Sequence, residues 1–276
     1  MNFAISPSTI TTAEQIPYVT ADEAFDLMQT ALDRFIRLIE SLPTEEWSKP
    51  TACTEWNVRD MVAHQAGGFA SGADYREMIH QLTARPKSRP GQLIEDSINA
   101  LQLAERADMT PAELIVELRQ AGKKASHNWA YGFRLVKWAS IPHPIPGKLS
   151  MRHLMWVIHS RDTWMHRLDI CRATGRHFEQ TRAHDGRINE LVVLDLARTL
   201  QKKLNGRAFT LVLTGVAGGT WQIGQGNSEA VIEMDTLDFN IYASGRFSYE
   251  EGISRAQFSG DNNLAGLAFK NFSVLY

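Results

Sequence analysis

Two side chains four residues apart carry the strongest chemical signal in the chain. In His159-Ser160-Arg161-Asp162-Thr163-Trp164-Met165-His166-Arg167-Leu168-Asp169, Asp162 and His166 stand at i and i+4. On an α-helix that spacing puts them about 40° apart round the axis and ~6 Å apart along it. Both could reach one metal ion. A catalytic ion usually keeps three protein ligands and an open position. The third ligand must then come from a facing helix, and His64 is the best donor. The same spacing also serves plain Asp–His hydrogen bonds on a helix surface, and that reading stands beside the metal one. His159 shares the face of His166 and is a second-sphere group, an alternative ligand or a surface residue. The remaining histidines have no partner spacing and read as structural.

Other reactive or aromatic residues read more blandly. Arg161, Arg167 and Arg172 suit a solvated helix face better than an anion patch. Trp56 and Trp164 read as packing groups, since helix-packing tryptophans outnumber ligand-stacking ones. Cys53 precedes a helix, whose N-terminus favours a thiolate, but nothing nearby in sequence supplies a histidine base. Nucleophilic catalysis by Cys53 is therefore not expected. Gly215, Gly218 and Gly219 lie between strands and read as a hairpin, not a phosphate loop.

The elements that must position these residues are legible from caps and periodicity. Thr20-Ala21-Asp22-Glu23 is a capping box opening a helix whose apolar stripe includes Phe25, Met28, Leu32, Phe35, Ile36 and Ile39, before Leu42-Pro43 stops it. A second helix starts at Asn57 with Asp60 in its first turn and carries His64. Arg85-Pro86 to Pro90-Gly91 reads as a loop. Thr110-Pro111-Ala112-Glu113 is another capping box, with proline at the first helical position. Ile141 to Gly147 cannot be helical, because its three prolines also restrict the residues before them. Ser150 then caps a long helix ending at Thr174-Gly175. About four long amphipathic helices imply a helical bundle.

Beyond a helix from Asp185 to Asn205-Gly206, the texture changes. Residues 209–213, 220–223 and 230–234 read as strands, and helical pattern returns at 237–243, 249–255 and 262–272. The expected class is α+β overall: an all-α bundle over residues 20–180 and a small α+β domain over 184–276.

Composition narrows the function classes. The 276 residues are 43% hydrophobic and 22% charged, which excludes wholesale disorder. A net charge of −2 argues against a general nucleic-acid binder. No apolar run approaches the ~20 residues of a membrane span, so membrane insertion is not expected. The first fifteen residues lack a basic start and an apolar stretch, so a signal peptide is not expected. Two cysteines, Cys53 and Cys171, make no disulfide framework and suit a reducing, cytoplasmic setting. Nothing indicates the oligomeric state.

Thr51-Ala52-Cys53-Thr54-Glu55-Trp56-Asn57-Val58-Arg59-Asp60-Met61-Val62-Ala63-His64 resembles the signature of the mycothiol-dependent maleylpyruvate isomerase N-terminal family, approximately C-x-x-W-x-V-x-D-L-V-A-H. That family belongs to the DinB-like metal-binding four-helix bundles. Its second motif, an acidic residue and a histidine four apart followed by Arg-x-Asp, is similar to Asp162 to Asp169. The resemblance spans roughly residues 20–180 and implies the ligand set His64, Asp162 and His166, with zinc as the ion. The maleylpyruvate isomerase has Glu where this chain has Asp162.

The C-terminal part is similar to another fold. Ala243-Ser244-Gly245-Arg246, Ser248-Tyr249-Glu250-Glu251-Gly252 and Phe258-Ser259-Gly260-Asp261 resemble the tail of the sterol-carrier-protein-like fold, over about residues 205–276. That fold encloses an apolar cavity. The isomerase needs a cation from this domain to hold its anionic substrate. Arg246 is the candidate here, beside its alternative reading as a turn residue. The resemblances imply a divalent-metal enzyme that activates a low-molecular-weight, mycothiol-type thiol for isomerase or transferase chemistry on a small electrophile. The rivals are a metal-dependent hydrolase and a non-catalytic small-molecule or lipid binder with a vestigial metal site.

Overall fold

A computed structural model describes residues 10–89, 91–145 and 147–276. Most of the N-terminal segment judged for a signal peptide, and one proline in each proline-rich loop (Pro90 and Pro146), lie outside the described residues. The chain divides into two compact units that are not contiguous in sequence. One comprises residues 19–140 and 150–178, the other residues up to 18, 141–149 and 179–276.

The first unit is helical. Helix α1 (Ala21–Glu40) begins at the expected cap, where the Glu23 N–H donates to Thr20 Oγ1. Helix α2 (Val58–Ala73) starts at a reciprocal cap between Asn57 and Asp60, with bonds of 2.9 and 3.1 Å. Helix α5 (Pro111–Tyr131) has the Thr110–Glu113 box and proline in its first turn. Their apolar stripes meet in a core around Phe35, Val58, Met61, Val62, Leu114 and Leu118. Two shorter helices, α3 (Tyr75–Ala84) and α4 (Ile94–Glu105), were not expected.

The long helix from Ser150 is present, but it is not continuous α-helix. A short α6 (Met151–His153) passes into a π-helical turn, Leu154–Ile158, before α7 (His159–Thr174). A π turn carries an extra residue, so the faces before and after it are about 100° out of step. Gly175, at φ 72°, takes the left-handed conformation that ends α7.

In the second unit a five-stranded sheet has the order β1-β5-β4-β6-β7: β1 (Thr11–Thr12), β4 (Ala208–Thr214), β5 (Gly219–Gly224), β6 (Ser228–Asp235) and β7 (Gln257–Gly260). The glycine cluster forms the expected hairpin turn between β4 and β5, which pair antiparallel with Leu211 opposite Trp221. Strand β6 lies parallel to β4, with Ile232 opposite Leu211. Helices α8 (Arg187–Leu200), α9 (Thr236–Ala243), α10 (Tyr249–Ile253) and α11 (Asn262–Lys270) complete the unit. A core of Phe209, Leu211, Ile223, Ile232, Phe239 and Phe269 fills it. Two strands, β1 and β7, were not expected. The proline-rich segment is a small hairpin of β2 (Ser140–His143) and β3 (Gly147–Ser150). The fold is α+β overall, a helical N-terminal region followed by a C-terminal sheet region.

Candidate metal centre

Helices α2 and α7 bring the three predicted ligands together. His166 Nε2 lies 3.1 Å from Asp162 Oδ1, and His64 Nε2 lies 3.5 Å from Asp162 Oδ2. One ligand atom from each of the three lies within 4.8 Å of the others. The i,i+4 spacing thus faces the bundle interior: the side chain of His166 is only 6% exposed, and those of His64 and Asp162 are 13% and 24% exposed. The surface-pair reading of Asp162 and His166 is excluded by this burial.

An acceptor stands behind each imidazole, within hydrogen-bond distance of His64 and at ion-pair distance from His166. His64 Nδ1 lies 2.9 Å from Gln102 Oε1 on α4. Gln102 Nε2 donates to Gln81 Oε1, and Gln81 Nε2 donates to the Gly67 carbonyl and to Glu77. A carbonyl can only accept, so the direction of this amide relay is fixed from its end. Gln102 must offer oxygen to His64, so His64 carries a proton on Nδ1, and Nε2 is the nitrogen turned toward Asp162. Gly67 makes the relay possible, because a Cβ there would stand 2.7 Å from Gln102 Cβ. On the other histidine, Nδ1 faces buried Asp169 at 3.5 Å. This is the carboxylate–histidine arrangement that orients metal-ligating imidazoles. Gln65 donates to Asp162 Oδ2 and accepts from Thr163 Oγ1, holding the carboxylate in place.

The electrostatics fit a cation. Burial opposes charge on His166, but Asp162 and Asp169 outweigh it and raise its pKa from 6.5 to about 9. Burial would raise Asp162, yet the two histidines beside it hold it well below 3.8. Positive charge is therefore favoured at this point, as a proton on His166 or as an ion. Two imidazole nitrogens and a carboxylate oxygen with outward nitrogens tied back are a donor set suited to a divalent transition ion. The residues fit the group that the sequence implies.

Three sequence-level expectations change. Cys53 does have a histidine: one donor atom each from Cys53, His166 and Asp169 lies within 4.8 Å of the others. The loop carrying it closes on itself, with Trp56 N–H bonded to the Cys53 carbonyl and a bridge between Pro50 and Asn57, and this fold-back brings the thiol beside α7. Trp56, expected to be a packing group, has its ring 5.0 Å from that of His64 and 6.0 Å from that of His166, so it walls the site. Arg161 and Arg167 are buried, not solvated, and Arg167 stands over the Phe178 ring at 4.1 Å. His159 lies outside the ligand cluster and off the open surface, which leaves the second-sphere reading among the three given for it. It stacks on Trp129 at 4.0 Å, and burial lowers its pKa to about 4. Trp164 packs edge-on against Phe178, as expected of a core residue.

Arg246 belongs to the other unit. Gly245, at φ 79°, and an Arg246 N–H bond to the Ile241 carbonyl end α9, so Ser244-Gly245-Arg246 does form a turn. Sequence reasoning missed Gln65, Gln81 and Gln102. A glutamine on the inner face of a helix looks the same in sequence as one on its outer face, so no local signal marks them.

The fold and site define a helical-bundle protein with an inward-facing cluster of two histidines and a carboxylate, joined to a small sheet unit. The chain belongs to the mycothiol maleylpyruvate isomerase N-terminal domain family, whose sequence profile matches residues 28–171. Two solved structures share its fold: the mycothiol-dependent maleylpyruvate isomerase and a mutant of that enzyme. Each is 16% identical, with a TM-score of 0.54, covering 91% of this chain and 96% of that chain. No curated protein matches the sequence.

Proposed function

We propose that this protein is a metal-dependent enzyme that activates a small thiol of the mycothiol type for isomerisation or S-transfer on a small electrophile. The observation that carries this reading is the convergence of His64 Nε2, Asp162 and His166 Nε2, each held from behind by its own partner. Membership of the maleylpyruvate isomerase N-terminal family and the shared fold support the thiol and the isomerase class. A divalent ion, with zinc favoured, would lower the pKa of a thiol at its open position and so supply a nucleophile at neutral pH. Asp162 and the two imidazoles would hold such an ion. Asp169 and Gln102 keep both rings in the ligating orientation, and Trp56 covers one side of the cluster.

In this reading residues 20–180 form the metal-binding part, and residues 184–276 form a sterol-carrier-protein-like part that completes substrate recognition. Arg246 is the cation assigned to an anionic substrate. The setting is cytoplasmic, where low-molecular-weight thiols are kept reduced. The test is metal analysis of the purified protein, followed by a maleylpyruvate isomerisation assay with mycothiol, with and without chelator. Stoichiometric ion and chelator-sensitive, thiol-dependent turnover are expected. Full occupancy with no turnover across thiols and electrophiles overturns the enzyme reading and favours a binding protein. Isomerisation without thiol overturns the thiol reading, and chelator-sensitive cleavage of an ester or amide by water would point to a hydrolase.

A further inference from the structure

A second site lies on the helical unit, at the C-terminal end of α5. Helix α5 stops at Gly132, and the next residue, Phe133, is buried with its backbone at φ 50°. A bulky non-glycine residue in the left-handed region is unfavourable and needs support from its surroundings. Here that support is the Tyr75 ring, 4.4 Å from the Phe133 ring. The anchored turn throws the next residues outward: Leu135 is 90% exposed and Trp138 86%.

Beside this turn opens a cavity of about 470 Å³, lined by Tyr131, Arg134, Lys137, Trp138, Arg152 and Trp156 among others. Three of its lining residues are cations and none is a carboxylate, in a chain whose net charge is −2. The cations are organised round an aromatic ring. Lys137 Nζ and the Arg152 guanidinium stand 5.4 and 5.5 Å from the centroid of the Trp156 ring. Lys137 Nζ is further tied to the Ala130 carbonyl at 2.7 Å. Partial burial and the neighbouring Arg134 both lower the Lys137 pKa, so clustering these cations carries an electrostatic cost.

We infer that this cavity is a binding site for a small organic anion carrying a flat ring, such as an aromatic carboxylate or sulfonate. The cations held round Trp156 meet the anionic group, and the exposed Trp138 meets the ring. The volume lies within the ~300–1,000 Å³ range of small-molecule sites. The inference does not rest on the metal centre, because no residue lining the cavity belongs to that cluster.

The probe is 1-anilinonaphthalene-8-sulfonate, titrated by fluorescence into the full-length protein. The neutral N-phenyl-1-naphthylamine, with the same rings, is the control. Saturable one-to-one binding of the anionic probe is expected, weakened by raising the salt concentration. Arg134→Glu and Trp138→Ala should each weaken it about fivefold, the effect of losing one exposed charge pair or stacking face. Both positions are exposed, so circular dichroism and metal content should match the parent. If Arg134→Glu misfolds, Arg134→Ala carries the test with a smaller effect in the same direction. The inference is overturned if neither variant changes the affinity, or if the neutral probe binds as tightly. It is also overturned if Arg134→Glu alters only retention on phosphatidylglycerol vesicles and not probe affinity, since that result assigns the patch to a lipid surface.

Discussion

His166 joins the two negative groups of the centre, Asp162 on its Nε2 side and Asp169 on its Nδ1 side. Removing it leaves two donors, so His166→Ala should lose bound ion, and His64→Ala should do the same. Asp162→Glu should retain it, because the carboxylate stays on the same helix face. Asp169→Asn keeps all three ligands but weakens the hold on the ring, and about 10- to 100-fold lower metal affinity is expected in chelator competition. Protons compete for the same site. With the His166 pKa near 9, metal affinity should fall by about tenfold per pH unit below that value.

The metal-free protein gives a second pH signature. The pKa of His166 is raised on folding, so its contribution to stability is full below about 6.5 and is lost as pH rises through about 9. Asp162, with a lowered pKa, contributes above about 3.8 and loses that contribution at more acid pH. Thermal unfolding of chelated protein should therefore show Tm falling from pH 6.5 to 9. A flat profile would show that the cluster is not coupled as described. Cys53→Ser should keep both metal and turnover. Loss of turnover with metal intact would instead give the Cys53 thiol a part in the reaction.

At the scale of elements, the centre depends on helices that contribute no ligand. Helices α3 and α4 carry the amide relay that sets the proton on His64. Gln81→Leu touches no ligand and leaves Gln102 free to turn its amide. A several-fold loss of metal affinity is expected, measurable by competition against a chelator with the folded state checked by circular dichroism. Gly67→Ala is more severe. Its Cβ would press on the Cβ and Cγ of Gln102, atoms too close to the α4 backbone to swing away. A loss of ~1–3 kcal/mol in denaturant unfolding is expected for such overpacking, together with weakened metal binding. Unchanged stability in Gly67→Ala would show that α4 yields at little cost.

For the whole molecule, the ligand set lies entirely within the helical unit, whereas Arg246 lies in the sheet unit. Residues 1–180 expressed alone should fold and hold metal with most turnover lost, since three ligands and a thiol confer little substrate selectivity. Arg246→Ala in the full chain should lower kcat/KM with metal content unchanged. An unaltered rate leaves Arg246 as the turn residue that ends α9. A truncated protein as active as the full chain would remove the sheet unit from the reaction.

The sequence by itself determined the elements with strong local signals. The caps at Thr20, Asn57 and Thr110, the stop at Gly175 and the alternation of β4 to β6 are written in neighbouring residues, and periodicity alone put Asp162 and His166 on one helix face. It did not reveal α3 and α4, because the residues they bury are mainly Gln81, Ser97 and Gln102, and a polar buried face leaves no apolar stripe. The π turn was equally silent, since its extra residue is a matter of hydrogen-bond register. The short strands β1 and β7 exist only through the partners beside them. Only tertiary structure decided that Arg161 and Arg167 are buried, that Trp56 walls the site, and that Cys53 stands beside His166. Each follows from a chain segment folding back over tens of residues. Local propensity carries no record of such contacts.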